Sequence, residues 1–99
     1  MSVYDWALKR DDVVLGYLTD CRVSQPVFHC KFRPTAEFES VKHLFDRELA
    51  LLNENRMDEY EAAYDEIDEL GLHLSPPEGQ PIISEFLLHI EGDAAWFRY

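Results

Sequence analysis

One stretch of seventeen residues, from Glu54 to Leu70, limits most strongly what this chain can fold into. Its hydrophobic side chains recur every three or four residues, at Met57, Tyr60, Tyr64, Ile67 and Leu70. The same stretch has eight acidic residues and one basic residue, and so carries −7 of the formal net charge of −11. This pattern predicts an amphipathic helix that packs by one apolar stripe and exposes an almost wholly acidic surface.

Length and composition indicate a single domain over residues 1–99. A chain of 99 residues is near the common domain size, and 46% hydrophobic residues supply a core. No apolar run approaches the roughly 20 residues that span a bilayer, and Met1–Asp12 has no apolar run of the signal-peptide type. We therefore expect a soluble cytoplasmic protein that binds no membrane.

Alternating patterns predict strands on both sides of the helical region. The predicted strands are Val3–Leu8, Val13–Val23, Val27–Arg33, Leu72–Leu74 and Ile82–Ile90. In the second of them, Leu15 and Tyr17 are assigned to the inner face, and Val14 and Leu18 to the outer face. The prolines between Ser75 and Pro81 predict a loop before the last of these strands.

The dipeptide Gly92-Asp93 predicts a two-residue hairpin turn of type II′, which requires glycine first. Such a turn sets the register of the strands on either side of it. The predicted cross-strand pairs are Ile90 with Ala95, His89 with Trp96, Leu88 with Phe97, and Phe86 with Tyr99.

Between the strand regions, helical spacing predicts a first helix over Ala36–Asn53, with Thr35 as its N-cap. The acidic helix comes next and ends at Gly71, which suits a left-handed cap. Two antiparallel helices, or one long bent helix, fit this pattern. With the antiparallel pair, the order β-β-β-α-α-β-β indicates an α+β fold. We expect a two-layer sandwich, in which an antiparallel sheet of five to six strands is covered on one face by the helices.

The two cysteines, Cys21 and Cys30, flank the turn near Pro26 and could meet across a hairpin. Without a secretion signal, we expect two reduced thiols that pack as small apolar groups.

Strand parity places a mixed apolar and basic set of side chains on the outer face of the sheet. Contiguous apolar patches of this kind often mark interfaces. We therefore expect a non-catalytic protein that binds a partner protein, or itself as a homodimer, unless the loop Ser75–Pro81 or the N-terminal strand covers this face. The expected contact residues are Trp96, Leu87, His89, Arg98 and His29.

The acidic helix offers a second possible surface, through Glu61, Asp65 and Glu69. Like charges at this spacing repel each other by roughly 0.2–0.5 kcal/mol per pair, and an inhibitor or immunity-type protein could use them to neutralise a basic partner. Nucleic acid is not an expected ligand, because phosphate binding needs clustered Lys and Arg and the sequence pI is about 4.5.

Catalytic patterns are weak in this sequence. His29 and His89 share the predicted outer face, and with Glu85 they could form a two-histidine, one-carboxylate metal site in a metal- or small-molecule-dependent enzyme. No phosphate-binding glycine loop or nucleophile motif accompanies them. We therefore expect no catalytic residues, no cofactor and no metal.

Overall fold

The computed structural model describes residues 4–24, 26–78 and 81–99 of the chain. Its elements are β1 Trp6–Arg10, β2 Val13–Ser24, β3 Val27–Pro34, a 3₁₀ helix Ala36–Ser40, α1 Lys42–Asn53, α2 Met57–Asp68, β4 Leu72–Ser75, β5 Leu87–Glu91 and β6 Ala94–Arg98. The predicted α+β class, with an antiparallel sheet and two helices, is confirmed. Val3, Gln25, Gly79 and Gln80 belong to predicted strand, turn and loop segments but lie outside the described residues.

The six strands form one curled antiparallel sheet in the order β4-β1-β2-β3-β6-β5. The C-terminal hairpin has three of its four predicted pairs, Ile90 with Ala95, His89 with Trp96 and Leu88 with Phe97. Gly92 has φ +60° at the turn, as the first central residue of a type II′ turn requires. The fourth predicted pair, Phe86 with Tyr99, would continue the same register, but the ladder ends one pair earlier, at Leu87 with Arg98.

We call the side of the sheet that carries the hydrophobic core its inner face, and the opposite side its outer face. The sequence pattern assigns Leu18 to the outer face, but Leu18 is fully buried and pairs with Phe32 in the core. An irregularity in β2 explains the difference. The pairing with β1 skips Leu15, and an extra residue in a strand reverses the faces on which the subsequent side chains lie. The pairing with β3 has a second irregularity, between Thr19 and Arg22.

The first predicted helix is divided in two. The 3₁₀ helix Ala36–Ser40 is followed by α1, and Val41 between them has a non-helical backbone. Thr35 makes no side-chain cap; its hydroxyl donates to the carbonyl oxygens of Val14 and Leu15 at 2.7 and 3.1 Å. That hydroxyl therefore ties the start of the helical region to β2.

The two α-helices pack against each other as an antiparallel pair, so a single bent helix is wrong. Asn55 has φ +57° between them, and Arg47 of α1 donates to Glu66 of α2 at 2.7 Å. Gly71 has the predicted left-handed backbone after α2, with φ +68°. Helix α1 packs on the edge strand β5, so the helix pair lies along the β5 edge of the sheet.

The cysteines form a disulfide, so the expectation of two reduced thiols is wrong. The bond joins Cys21 of β2 to Cys30 of β3, with Cα atoms 4.1 Å apart. It lies at the second irregularity of β2, where Asp20 has φ +52°. Cys30 lies in the core, whereas Cys21 is partly exposed.

Candidate functional site

The strands β3, β6 and β5 form the part of the outer face that the sequence singles out. They lie side by side, so that His29 pairs with Trp96, and Trp96 pairs with His89 on its other side. Leu87 and Arg98 form the next pair of the same parity. The structure therefore brings all five expected sheet residues onto one surface.

The three expected helix residues lie on a separate element. Glu61 and Asp65 are on α2, Glu69 is its C-terminal cap residue, and all three are exposed. None of them forms an ion pair with another part of the chain that the structure describes. Their carboxylates are thus available on the surface.

His89 is not the exposed histidine that strand parity predicts. Its side chain is only 9% exposed, and its Nδ1 lies 2.8 Å from Oε1 of Glu48, which is fully buried. Glu48 comes from α1, which packs against β5. With Glu48 ionised, the carboxylate can only accept, so Nδ1–H of His89 is the donor and Nε2 points away from Glu48.

The second oxygen of this carboxylate is unusual. Oε2 of Glu48 is buried and has no hydrogen-bond partner in the described parts of the chain. Burying a carboxylate is costly unless it is paired and hydrogen-bonded, and an unpartnered buried polar atom calls for an explanation beyond packing. The pair Glu48–His89 is therefore the chemically distinctive feature of the site.

Three aromatic rings surround His89. The centroids of Trp96, Tyr64 and Tyr60 lie 5.5, 6.3 and 6.5 Å from the imidazole centroid. Burial raises the pKa of Tyr64 well above its usual value. Burial, and then the charge of Glu48, raise the pKa of Tyr60, while the charge of Arg98 opposes them. Both tyrosines therefore keep neutral hydroxyls near neutral pH.

A cavity of about 200 Å³ opens beside this cluster on the outer face. Its lining includes the apolar side chains of Val27, Leu87 and Trp96 and the nitrogen-bearing side chains of His89 and Arg98. Protein sites for drug-sized ligands enclose roughly 300–1,000 Å³, so this smaller cavity is suited to a single side chain or a similarly small group.

The outer face continues over β2 and β3 as a basic surface. A cavity of about 410 Å³ beside the disulfide is lined by Asp20, Arg22, His29 and Lys31. A further one of about 430 Å³ is lined by Tyr4, Tyr17 and Arg33, among others. The outer face therefore combines cations with aromatic rings from one end of β3 to the other.

The arrangement does not assemble the metal site considered from the sequence. His29 and His89 lie two strands apart, about 9–10 Å at the usual strand spacing, and Trp96 lies between them. Glu85 is exposed and lies before β5. Within residues 4–24, 26–78 and 81–99, no three His, Cys, Asp or Glu side chains group as metal ligands.

Glu48 is the site residue that sequence reasoning missed, although the sequence contains a signal for it. It lies three residues after Phe45 and one before Leu49, inside the apolar stripe of the first helix. A lone carboxylate at a core position of an amphipathic helix indicates either a polar partner in the core or a functional group.

Comparison with known proteins gives no relative for this chain: no family model, curated protein or solved structure matches it. Neither of the two α-helices in the described ranges has the length and hydropathy needed to cross a membrane.

Proposed function

We propose that the protein is a non-catalytic interaction module that associates with a second copy of itself, the outer sheet face of one copy receiving α2 of the other. The separation of charge between sheet and helix is the observation that supports this most directly. The six strands contain six of the nine Lys and Arg residues but only two of the 20 acidic residues. Helix α2 contains six acidic residues and no basic one.

The sheet supplies the cationic side of the contact. Arg22, Lys31, Arg33 and Arg98 are exposed on the outer face, around the half-buried Trp96. Lys31 has an acidic neighbour in Asp20 at 3.4 Å, but both side chains are at least 70% exposed. Exposed ion pairs of this kind contribute little, so Lys31 remains able to pair with another molecule.

The helix supplies the anionic side. Glu66 already pairs with Arg47, and Glu59 with Arg56, whereas Glu61, Asp65 and Glu69 belong to the exposed carboxylates that pair with no basic residue in the described parts of the chain. Carboxylates at helical neighbour spacing repel one another. A basic surface placed against these carboxylates would offset that repulsion. A second copy of the chain can provide such a surface.

The burial of Leu18 changes the expected character of the contact. With Leu18 inside and Val27, Leu87 and Trp96 only partly exposed, the outer face has less apolar area than strand parity predicts. Charge pairing then dominates over apolar burial. Because exposed charges are screened beyond about 8–10 Å at ordinary ionic strength, we expect association that weakens steeply with salt.

Light scattering during size-exclusion chromatography tests this proposal, at about 50 mM and about 500 mM salt. We expect a mass above that of the monomer at low salt and the monomer at high salt. A sheet-reversed variant, Arg22→Glu with Lys31→Glu, and a helix-reversed variant, Asp65→Lys with Glu69→Lys, should each be monomeric at low salt. Mixed together, the two variants should associate again, because each reversed surface now meets its complement.

Two results would overturn the proposal. One is a wild-type monomer at low salt and high protein concentration, which would favour a foreign basic partner for α2, as in an immunity-type protein. The other is an oligomer that both variants retain, which would assign the interface to a different surface. Lys42→Glu is the matched control, because exposed Lys42 lies on α1 and pairs with Asp46; it should associate like the wild type.

A further inference from the structure

We infer that the cavity beside His89 binds one carboxylate side chain of the partner copy, and that the negative charge of buried Glu48 supports this binding through its contact with His89. This inference rests on the proposed self-association and adds to it the site of the anchoring contact. The cavity, the two donors that line it and the buried carboxylate behind it support this assignment.

The donors of the cavity select an anion. Nε2 of His89 and the guanidinium of Arg98 belong to the only two chargeable residues among its described lining residues, Val27, Leu87, His89, Trp96, Phe97 and Arg98. When the imidazole is protonated, both groups donate and neither accepts. A carboxylate accepts from two donors at once, and hydrogen bonds between charged groups are shorter and stronger than neutral ones.

Glu48 contacts one nitrogen of the imidazole and leaves the other for a ligand. Its Oε1 lies 2.8 Å from Nδ1, and its negative charge offsets the positive charge of a ring that donates through both nitrogens. Among the described residues, the other titratable or charged groups that face His89 are Tyr60 and Tyr64, which stay neutral, and Arg98 on the cavity side. The nearby negative charge is thus that of Glu48, 2.8 Å from Nδ1.

The shape of the cavity fits a side chain that ends in a carboxylate. Its walls of Val27, Leu87 and Trp96 would contact methylene groups, and its volume of about 200 Å³ suits one side chain. Glu61 and Asp65 of α2 and its cap residue Glu69 are exposed side chains of this chemistry. We therefore assign the occupant to α2 of a second copy.

The direct test uses a small probe on the helix-reversed variant, so that the result does not depend on association. The probe is N-acetyl-glutamate α-methylamide, and the matched neutral control is N-acetyl-glutamine α-methylamide. Nuclear magnetic resonance follows the imidazole nitrogens of His89 and the indole of Trp96. We expect saturable shifts with the glutamate probe and none with the glutamine probe.

Two further substitutions separate binding from folding. Arg98→Gln keeps a donor but removes the positive charge, and Glu48→Gln keeps the shape and an acceptor for Nδ1–H but removes the negative charge. Each should weaken probe binding by about tenfold, the scale of one hydrogen bond to a charged group. Glu48→Gln also removes the charge of one partner of a buried pair, which is destabilising, so circular dichroism must first show that this variant is folded at the temperature of the binding measurement.

Specific results would overturn the inference. They are the absence of a saturable shift, equal shifts with both probes, or unchanged binding in Arg98→Gln and Glu48→Gln. A loss of stability in Glu48→Gln with unchanged probe binding would give Glu48 a purely structural role. If the probe does not bind but the wild type associates in a salt-sensitive way, the proposed self-association stands and only the role of the cavity is wrong. If the probe binds but the wild type does not associate, the cavity is an anion site and the proposed self-association is wrong.

Discussion

The hydroxyl of Tyr64 lies 2.8 Å from the backbone nitrogen of Leu88 and 3.5 Å from its carbonyl oxygen. Tyr64 belongs to α2 and Leu88 to the edge strand β5, so one phenol occupies the place that a further strand would take. Unpaired edge strands are templates for association with other chains. The contact therefore closes part of the β5 edge and fixes α2 against it.

Substituting Tyr64→Phe should destabilise the fold by about 1–3 kcal/mol, because the buried N–H of Leu88 loses its acceptor and stays unsatisfied. Urea denaturation followed by circular dichroism measures the difference. Tyr60→Phe is the control, since no hydrogen bond of the Tyr60 hydroxyl occurs among the described residues, and it should change stability by less than about 0.5 kcal/mol. Equal effects of the two substitutions would contradict this account of Tyr64.

The same hydroxyl should make stability depend on alkaline pH. Burial raises the pKa of Tyr64 above the value of 10.0 for an ordinary tyrosine. A group whose folded pKa is raised contributes stability that is full below its unfolded pKa and is lost as pH rises towards the folded pKa. Thermal melts between about pH 9 and pH 11 should therefore show a steeper loss for the wild type than for Tyr64→Phe. Parallel losses would contradict the raised pKa.

The parts of the fold that sequence could predict are those with local causes. Gly92 supplies the positive φ that its turn needs, and the turn then sets the pairs of the last hairpin. Likewise, alternation places His29 outward and Phe32 inward on β3, because no irregularity interrupts that strand. Trp96 and Arg98 obey the same rule.

The parts that could not be predicted have causes distant in the chain. Leu18 faces inward because β1 pairs with β2 around an extra residue, Leu15, and nothing in the residue types indicates this. The contact between Glu48 and His89 joins residues 41 positions apart. It depends on α1 lying along the β5 edge, and spacing along the chain does not give that position.

Gly16 should tolerate no side chain. A Cβ at this position would lie 2.5 Å from Cε1 of Phe32, and still nearer its Cζ, and Phe32 is 1% exposed. Overpacking of this kind costs typically 1–3 kcal/mol, so we expect Gly16→Ala to lower the free energy of unfolding by about that amount.

A double-mutant cycle identifies the cause of that loss. Phe32→Leu should relieve much of the cost of Gly16→Ala, with a coupling energy of at least about 0.5 kcal/mol. The control is Gly71→Ala, whose Cβ would meet no atom within 4 Å and whose effect should add to that of Phe32→Leu. Additive behaviour of Gly16→Ala would instead assign its cost to the backbone.

The disulfide should contribute substantially to stability. Cys21 and Cys30 are nine positions apart, and closing a loop of this size in the unfolded chain corresponds to about 2.5–3 kcal/mol in the chain-entropy description. A reductant should lower the urea midpoint of the wild type, and it should leave Cys21→Ala/Cys30→Ala unchanged.

The same bond bears on the predicted cytoplasmic location, because cytosolic proteins rarely keep structural disulfides. Alkylation of the cysteines immediately after cell lysis, before and after reduction, shows whether they are free thiols or a disulfide. We expect modification only after reduction. Two thiols that react without reductant would contradict the disulfide and restore the expectation of reduced cysteines.

Replacing Asp68 by its neutral analogue asparagine should stabilise the fold. It is the last residue of α2, and its pKa is raised by burial and then by the negative charge of Asp65. A negative charge at a helix C-terminus also opposes the helix dipole. We expect Asp68→Asn to raise the free energy of unfolding at neutral pH by about 0.3–1 kcal/mol.

The gain from Asp68→Asn should depend on pH in a direction that the raised pKa sets. A raised folded pKa means that protonation of Asp68 stabilises the fold fully below the ordinary value of 3.8, and that this contribution is lost as pH rises through the folded pKa. The wild type should therefore match Asp68→Asn in acid and fall behind it towards neutral pH. Urea midpoints at about pH 3, 5 and 7 measure this trend.

Asp58→Asn is the matched control, because Asp58 lies in the first turn of the same helix, where a negative charge is favourable. This variant should lose stability at neutral pH. An Asp68→Asn gain that persists unchanged in acid would show that charge at Asp68 is not its cause.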